Sequence, residues 1–148
     1  MSAIQGIVVT IFGIALCLVI IRHLMLKPSN NRSWVNDNDR LANAEFDGDY
    51  VTIKNIRDFN WRSTRDYDEK WIEKKFNLTE VSKIWFVLEY FDPKKRQMAH
   101  TILGFEFDDG SRICCSIEVR REKGEKYHPI RGFFRQYELI YVLSLIHI

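Results

Sequence analysis

From Met1 to Ile21 the chain carries no charged side chain. At ~1.5 Å per residue, a helix of that length reaches across the ~30 Å hydrocarbon core of a bilayer. A cleaved signal peptide opens on basic residues and leaves through small ones. This segment opens Met1, Ser2, Ala3 and leaves through Arg22, His23 and Leu24, so residues 1–26 read as a transmembrane anchor that stays attached. Cys17 lacks the small residue before it and the polar sequence after it that lipoprotein processing needs, and reads as a residue of the membrane core. Arg22, Lys27 and Arg32 all come after the helix. The positive-inside bias alone would therefore keep the rest of the chain in the cytoplasm, a conflict that an upstream helix missing from this reading frame would resolve.

Beyond the anchor there is room for a single domain of about 115 residues, enough to bury a core. The chain's 22 basic and 20 acidic residues are interleaved, which excludes the cationic excess that nucleic-acid binding shows. Three cysteines, one in the anchor and two adjacent at Cys114 and Cys115, make neither a disulfide framework nor a spaced metal site. No cofactor motif is visible. Residues 27–44 hold Pro28, Ser29 and a run of asparagines without apolar periodicity, and read as a tether. The domain is expected over 45–142.

Strand signals occur at Tyr50–Ile56, Trp71–Phe76 and the dense apolar run Ile84–Phe91, the last reading as a central strand. A charged turn, Asp92-Pro93-Lys94-Lys95-Arg96, breaks that run. Met98–Val119 reads as a hairpin turning at Asp108-Asp109-Gly110. A two-residue turn would mix Arg112, Ser116 and Glu118 into the face of Leu103, Phe105 and Phe107. A three-residue loop with Gly110 left-handed sorts polarity better. It gathers Leu103, Phe105, Phe107, Ile113, Cys115, Ile117 and Val119 on one face, and sets Glu106 across from Arg112 and His100 across from Glu118 on the other.

A histidine with a carboxylate opposite it, beside a small residue such as Gly104, has the parts of a general base whose tautomer is held by a partner. A nucleophile does not accompany it. Cys114 falls opposite Gly104, about 13 Å along the strand from His100 at ~3.3 Å per residue. Ser116 lies mid-strand, without the exposed turn that activates a nucleophile. Both read as packing residues, and Arg120-Arg121-Glu122-Lys123-Gly124-Glu125 reads as a solvated turn. His128 reads as loop, the four tryptophans as core or interface packing, and Asn77-Leu78-Thr79 as a sequon match that means little by itself.

Taken together, NRSW (Asn31 to Trp34), AEFDGDYVTIKNIRDF (Ala44 to Phe59), AHTILGFEFDDG (Ala99 to Gly110), CSIEVRREKGE (Cys115 to Glu125) and RGFFRQYELIYV (Arg131 to Val142) resemble, in order, the Lnb N-terminal periplasmic domain family. The resemblance implies an α+β fold: a transmembrane helix followed by a mainly antiparallel sheet, part of a permuted papain-like thiol-enzyme fold. It implies a bacterial inner-membrane protein with its domain in the periplasm. The activity it implies is that of a thiol acyltransferase or hydrolase, with membrane lipid and lipoprotein or another acylated substrate as partners. The family's named member moves a fatty acyl chain onto the N-terminal amine of a lipoprotein. By position, His100 matches the family's base and Glu118 a recurrent acidic position, with the role of orienter inferred from the hairpin register. The family's nucleophile sits in an Asn-Cys motif downstream of the ELIYV strand, and no such motif occurs here. A non-catalytic periplasmic binding or scaffold domain is the alternative. Strand ELIYV is expected to end near Val142, leaving residues 143–148 as a non-native tail of a truncated and catalytically silent product.

Overall fold

The computed structural model describes residues 2–25, 27–63, 66–92, 94, 99–133 and 137–146. The apolar run forms one helix, α1 (Ala3–Met25), 23 residues long and about 35 Å at 1.5 Å per residue. Its start is a capping box: Ser2 Oγ accepts from the Gln5 backbone N–H at 3.3 Å, and Gln5 Oε1 accepts from Ser2 N at 2.9 Å. None of its residues is buried against the rest of the chain. By length and composition it can cross a membrane, and an apolar cylinder without a protein partner needs lipid around it.

The remainder is built on a seven-stranded sheet. Its strands are β1 (Asn43–Asp47), β2 (Tyr50–Arg57), β5 (Trp71–Asn77), β6 (Val81–Tyr90), β7 (Ala99–Phe107), β8 (Arg112–Arg120) and β9 (Glu138–Leu145). A separate hairpin pairs β3 (Asn60–Ser63) with β4 (Asp66–Asp68), and a short helix, α2 (Pro129–Phe133), precedes β9. The order is β1-β2-β9-β8-β7-β6, with β5 on the other side of β2. Every pairing is antiparallel except a single parallel link, Arg57 to Ser144, between β2 and β9. The fold is thus α+β around a mostly antiparallel sheet.

The hairpin adopts the three-residue loop. Phe107 N donates to Ser111 O at 3.0 Å, Gly110 N to Phe107 O at 2.9 Å, and Gly110 sits at φ +79°, where an L side chain is strained. Glu106 pairs with Arg112 and Gly104 with Cys114, in the register that polarity sorting favours. The burial is less simple than that sorting. Near the turn, Phe107 and Ile113 enter the core with Val51, Ile53, Ile56 and Phe76, and Phe105, Leu143 and Leu145 pack beside them. Phe76 and Phe107 stack at 4.8 Å. Farther from the turn the same face opens: Leu103 is 39% and Ile117 52% exposed. There the opposite face is the buried one, through Ser116, Arg120, Ile140 and Val142. β2 and β5 cover only the turn end of one face, while residues 29–39 cover the far end of the other.

That second cover is the segment read as a tether. Up to residue 42 it forms no helix or strand, as its missing periodicity suggested, but β1 begins inside it at Asn43, and it lies on the domain. Trp34 is buried, bridges to Glu122, and exchanges backbone bonds around it: Val35 N to Arg121 O, and Lys123 N to Ser33 O. Asn38 is buried as well.

Three sequence expectations need correction. The run Ile84–Phe91 forms β6, but at the sheet's edge and not in its centre. Arg120 is no part of a solvated turn: it ends β8 and is 2% exposed. The strand expected to stop near Val142 runs to Leu145, pairing Leu143 with Cys115, Ser144 with Cys114 and Leu145 with Ile113; a continued ladder half-buries these leucines and needs no turn after Val142. Of the charged turn after β6, Pro93 and residues 95–98 lie outside the described residues, as do residues 147 and 148 of the expected tail.

Candidate active site

His100 stands near the start of β7 and Glu118 near the end of β8. The ladder between these strands runs from Glu106–Arg112 to Ile102–Ser116. The pairing stops there, two residues short of His100 and Glu118, so the expected His100–Glu118 pair is not formed as a ladder rung, but the period of two puts both on the face of Ser116. Both are half-buried. The His100 ring lies 6.4 Å from that of Phe91. An open groove of about 370 Å³ at this end of the sheet is lined by His100 together with Leu103, Cys115, Ile117 and Tyr141, so it runs mainly along the opposite face, and Glu118 does not line it.

The Glu118 carboxylate is held from another side. Arg57 Nη1 donates to both oxygens, at 3.3 and 3.5 Å, and Ser116 Oγ donates to Oε1 at 3.0 Å. Arg57 comes from the end of β2 and is itself 7% exposed, with Nε and Nη2 making no hydrogen bond among the described residues. Its backbone makes the single parallel contact of the sheet, with Ser144 of β9, while its side chain reaches Glu118 of β8. Neither Arg57 nor a bond from Ser116 to Glu118 is legible in the sequence. The second depends only on i, i+2 spacing along a strand, a signal too common to single out.

The thiols are quiet. Burial pushes the Cys114 thiol up from its ordinary value, and Cys115 is raised for the same reason. A neutral thiol is a poor nucleophile, so neither is an activated group. Cys114 faces Gly104 and Ser144 across the sheet, in agreement with a packing role. No cluster able to hold a metal ion occurs among the described residues.

The other polar residues serve the fold. Arg120 donates from Nε to Asn38 O at 2.9 Å, from Nη2 to Asp39 O at 2.9 Å and from Nη1 to Asn30 Oδ1 at 2.8 Å. Its guanidinium also lies 4.3 Å from the Trp34 ring and 3.6 Å from the Glu138 carboxylate. Burial lowers its pKa below the usual arginine value, with Glu138 opposing. Two of the stretches that carried the resemblance, NRSW and the end of CSIEVRREKGE, therefore meet here in space. Glu106 accepts from Lys83 at 2.7 Å and Arg112 at 2.8 Å, and these bonds pull its pKa down to about 2. Asn77 accepts from Thr79 and donates to Glu80, so the sequon caps a turn. The backbone N–H of His128 donates to Tyr137 Oη.

The family model of the Lnb N-terminal periplasmic domain matches residues 67–146, more than half of the 148. The chain belongs to the Lnb N-terminal periplasmic domain family. The matched segment holds β5 to β9 and with them both His100 and Glu118. It extends past Val142 into the part of β9 that pairs with Cys114 and Cys115. No curated protein and no solved structure matches the chain. Together with α1, the membership makes this a membrane-anchored domain of a periplasmic family.

Proposed function

We propose that this Lnb-family domain provides the general base of a thiol acyltransferase or hydrolase at the outer face of the bacterial inner membrane, acting on lipoprotein or another acylated substrate. The observation that carries the reading is the shared face of His100 and Glu118 on neighbouring strands, with Glu118 fixed by Arg57 and Ser116. In this reading the thiol comes from the downstream Asn-Cys motif that the family resemblance implies. His100 takes the thiol proton and the thiolate attacks the acyl ester carbonyl. The donor then leaves as an alcohol, carrying the proton from the imidazolium. An amine or water next attacks the thioester, giving its proton to His100, which returns it to the departing thiolate. Glu118, a carboxylate that cannot wander, stabilises the imidazolium formed twice in that cycle.

A second reading, a non-catalytic periplasmic binding or scaffold domain, is favoured by one observation: the Glu118 carboxylate accepts from Arg57 and Ser116 and not from His100. The two separate on one experiment. In the full-length native protein, His100→Ala should abolish turnover without loss of fold. Glu118→Gln should lose less, because the base remains but its cation is less stabilised. Full activity of the His100 variant dismisses His100 as the base, and absence of turnover in the native protein decides for the scaffold. Placement in the periplasm is tested with alkaline phosphatase fused after Ile148 in the native gene, which should be active; fluorescence of a cytoplasmic green fluorescent fusion instead would reverse it.

A further inference from the structure

β6 is ten residues long and closes one edge of the sheet. Its centre, Ile84-Trp85-Phe86-Val87-Leu88, is apolar on both faces, and these side chains are 66, 50, 66, 45 and 45% exposed. Native edge strands are blunted by brevity, proline, bulges or charges. The centre of β6 has none of these, and its charges, Lys83 and Glu89, stand at the two ends. A continuous apolar strand is the pattern of one that is paired and covered on both sides.

We propose that β6 pairs antiparallel with β6 of a second copy of this chain, centred on Phe86, so that two sheets become one. The register follows from charge. Lys83 and Glu89 lie symmetrically about Phe86, so a two-fold at Phe86 sets Lys83 of each copy opposite Glu89 of the other. It also sets Ile84 opposite Leu88, Trp85 opposite Val87 and Phe86 opposite itself, an isologous contact that closes. The ladder with β7 puts Lys83, Trp85, Val87 and Glu89 on one face and Ile84, Phe86 and Leu88 on the other. Each proposed pair therefore joins side chains of the same face. Lys83 already donates to Glu106 at 2.7 Å but keeps further donors, and Glu89 is exposed and makes no ion pair among the described residues. The two-fold of an antiparallel edge pairing stands perpendicular to the sheet, so both copies turn the same face to the same side, which suits two chains anchored in one bilayer.

The test uses the full chain in detergent micelles. Sedimentation should give a dimer, and Phe86→Lys, which sets two cations against each other on the axis, should convert it to monomer with its circular dichroism unchanged. Opposed Cα atoms at about 4.5–5.5 Å are within disulfide reach. Phe86→Cys should therefore cross-link to itself on oxidation, and a mixture of Trp85→Cys and Val87→Cys should give the heterodimer. Glu89→Cys, set about 20 Å from its copy by six residues of strand, should not. A monomeric wild-type chain, as when another segment or protein covers the edge, overturns the proposal. So does a dimer that survives Phe86→Lys, or one that cross-links in the Glu89→Cys variant through the introduced thiol.

Discussion

Arg120→Met is the most informative single change to the fold, because it keeps much of the apolar stem of the side chain and removes only the guanidinium. That group is 2% exposed and donates to Asn38 O, Asp39 O and Asn30 Oδ1. Its loss would leave the carbonyl of buried Asn38 and the part-buried oxygens of Asp39 and Asn30 without this donor, and Glu138 with less compensation. Removing one member of a buried charged network costs about 3–5 kcal/mol, a large part of the roughly 5–15 kcal/mol by which a domain is stable. For a domain of this size that becomes a fall in midpoint of roughly 15–30 °C. All four tryptophans lie outside α1. Near-ultraviolet circular dichroism of the full chain in micelles consequently tracks the domain and not the anchor. Arg120→Lys should fall between wild type and Met, since an ammonium keeps the charge but cannot span three acceptors. Trp34→Ala combined with Arg120→Met should cost less than the sum of the two, because both act through the same docking of residues 29–39. A midpoint for Arg120→Met within about 4 °C of wild type, below about 1 kcal/mol, would refute the claim that this guanidinium holds the segment down.

Glu106 makes an acid-sensitive contribution. Its folded pKa, about 2, lies below the ordinary carboxylate value, so its stabilisation is fully present above that ordinary value and lost as pH falls toward 2. Glu106→Gln should flatten the stability profile in that window and leave the profile above about pH 6 parallel to wild type. Cys114 and Cys115, both raised by burial, should label with maleimide at about pH 7 many-fold more slowly than in urea; fast native labelling of either would contradict their assignment as quiet thiols.

Much of the molecule was legible in residue order because it depends on local chemistry. The anchor is dictated by an uncharged run of helical length, and the hairpin register by a glycine at the one position that needs positive φ and by the sorting of alternate side chains. His100 and Glu118 fall on one face for the same reason, since a period of two is carried by the strand itself. What the chain order could not reveal is which face a neighbour covers. Leu103 and Ile117 alternate as Phe107 and Ile113 do, yet only the latter pair lies under β2 and β5. Ile84–Phe91 reads as a centre strand because its side chains suit burial on both sides, while its position at an edge is a property of the sheet order. Arg120 and Arg57 are the sharpest cases. A basic residue in a charged stretch has every local reason to be solvated. Its burial is decided by carbonyls and carboxylates that lie from 61 to 90 positions away in the chain and meet it only once the sheet has formed.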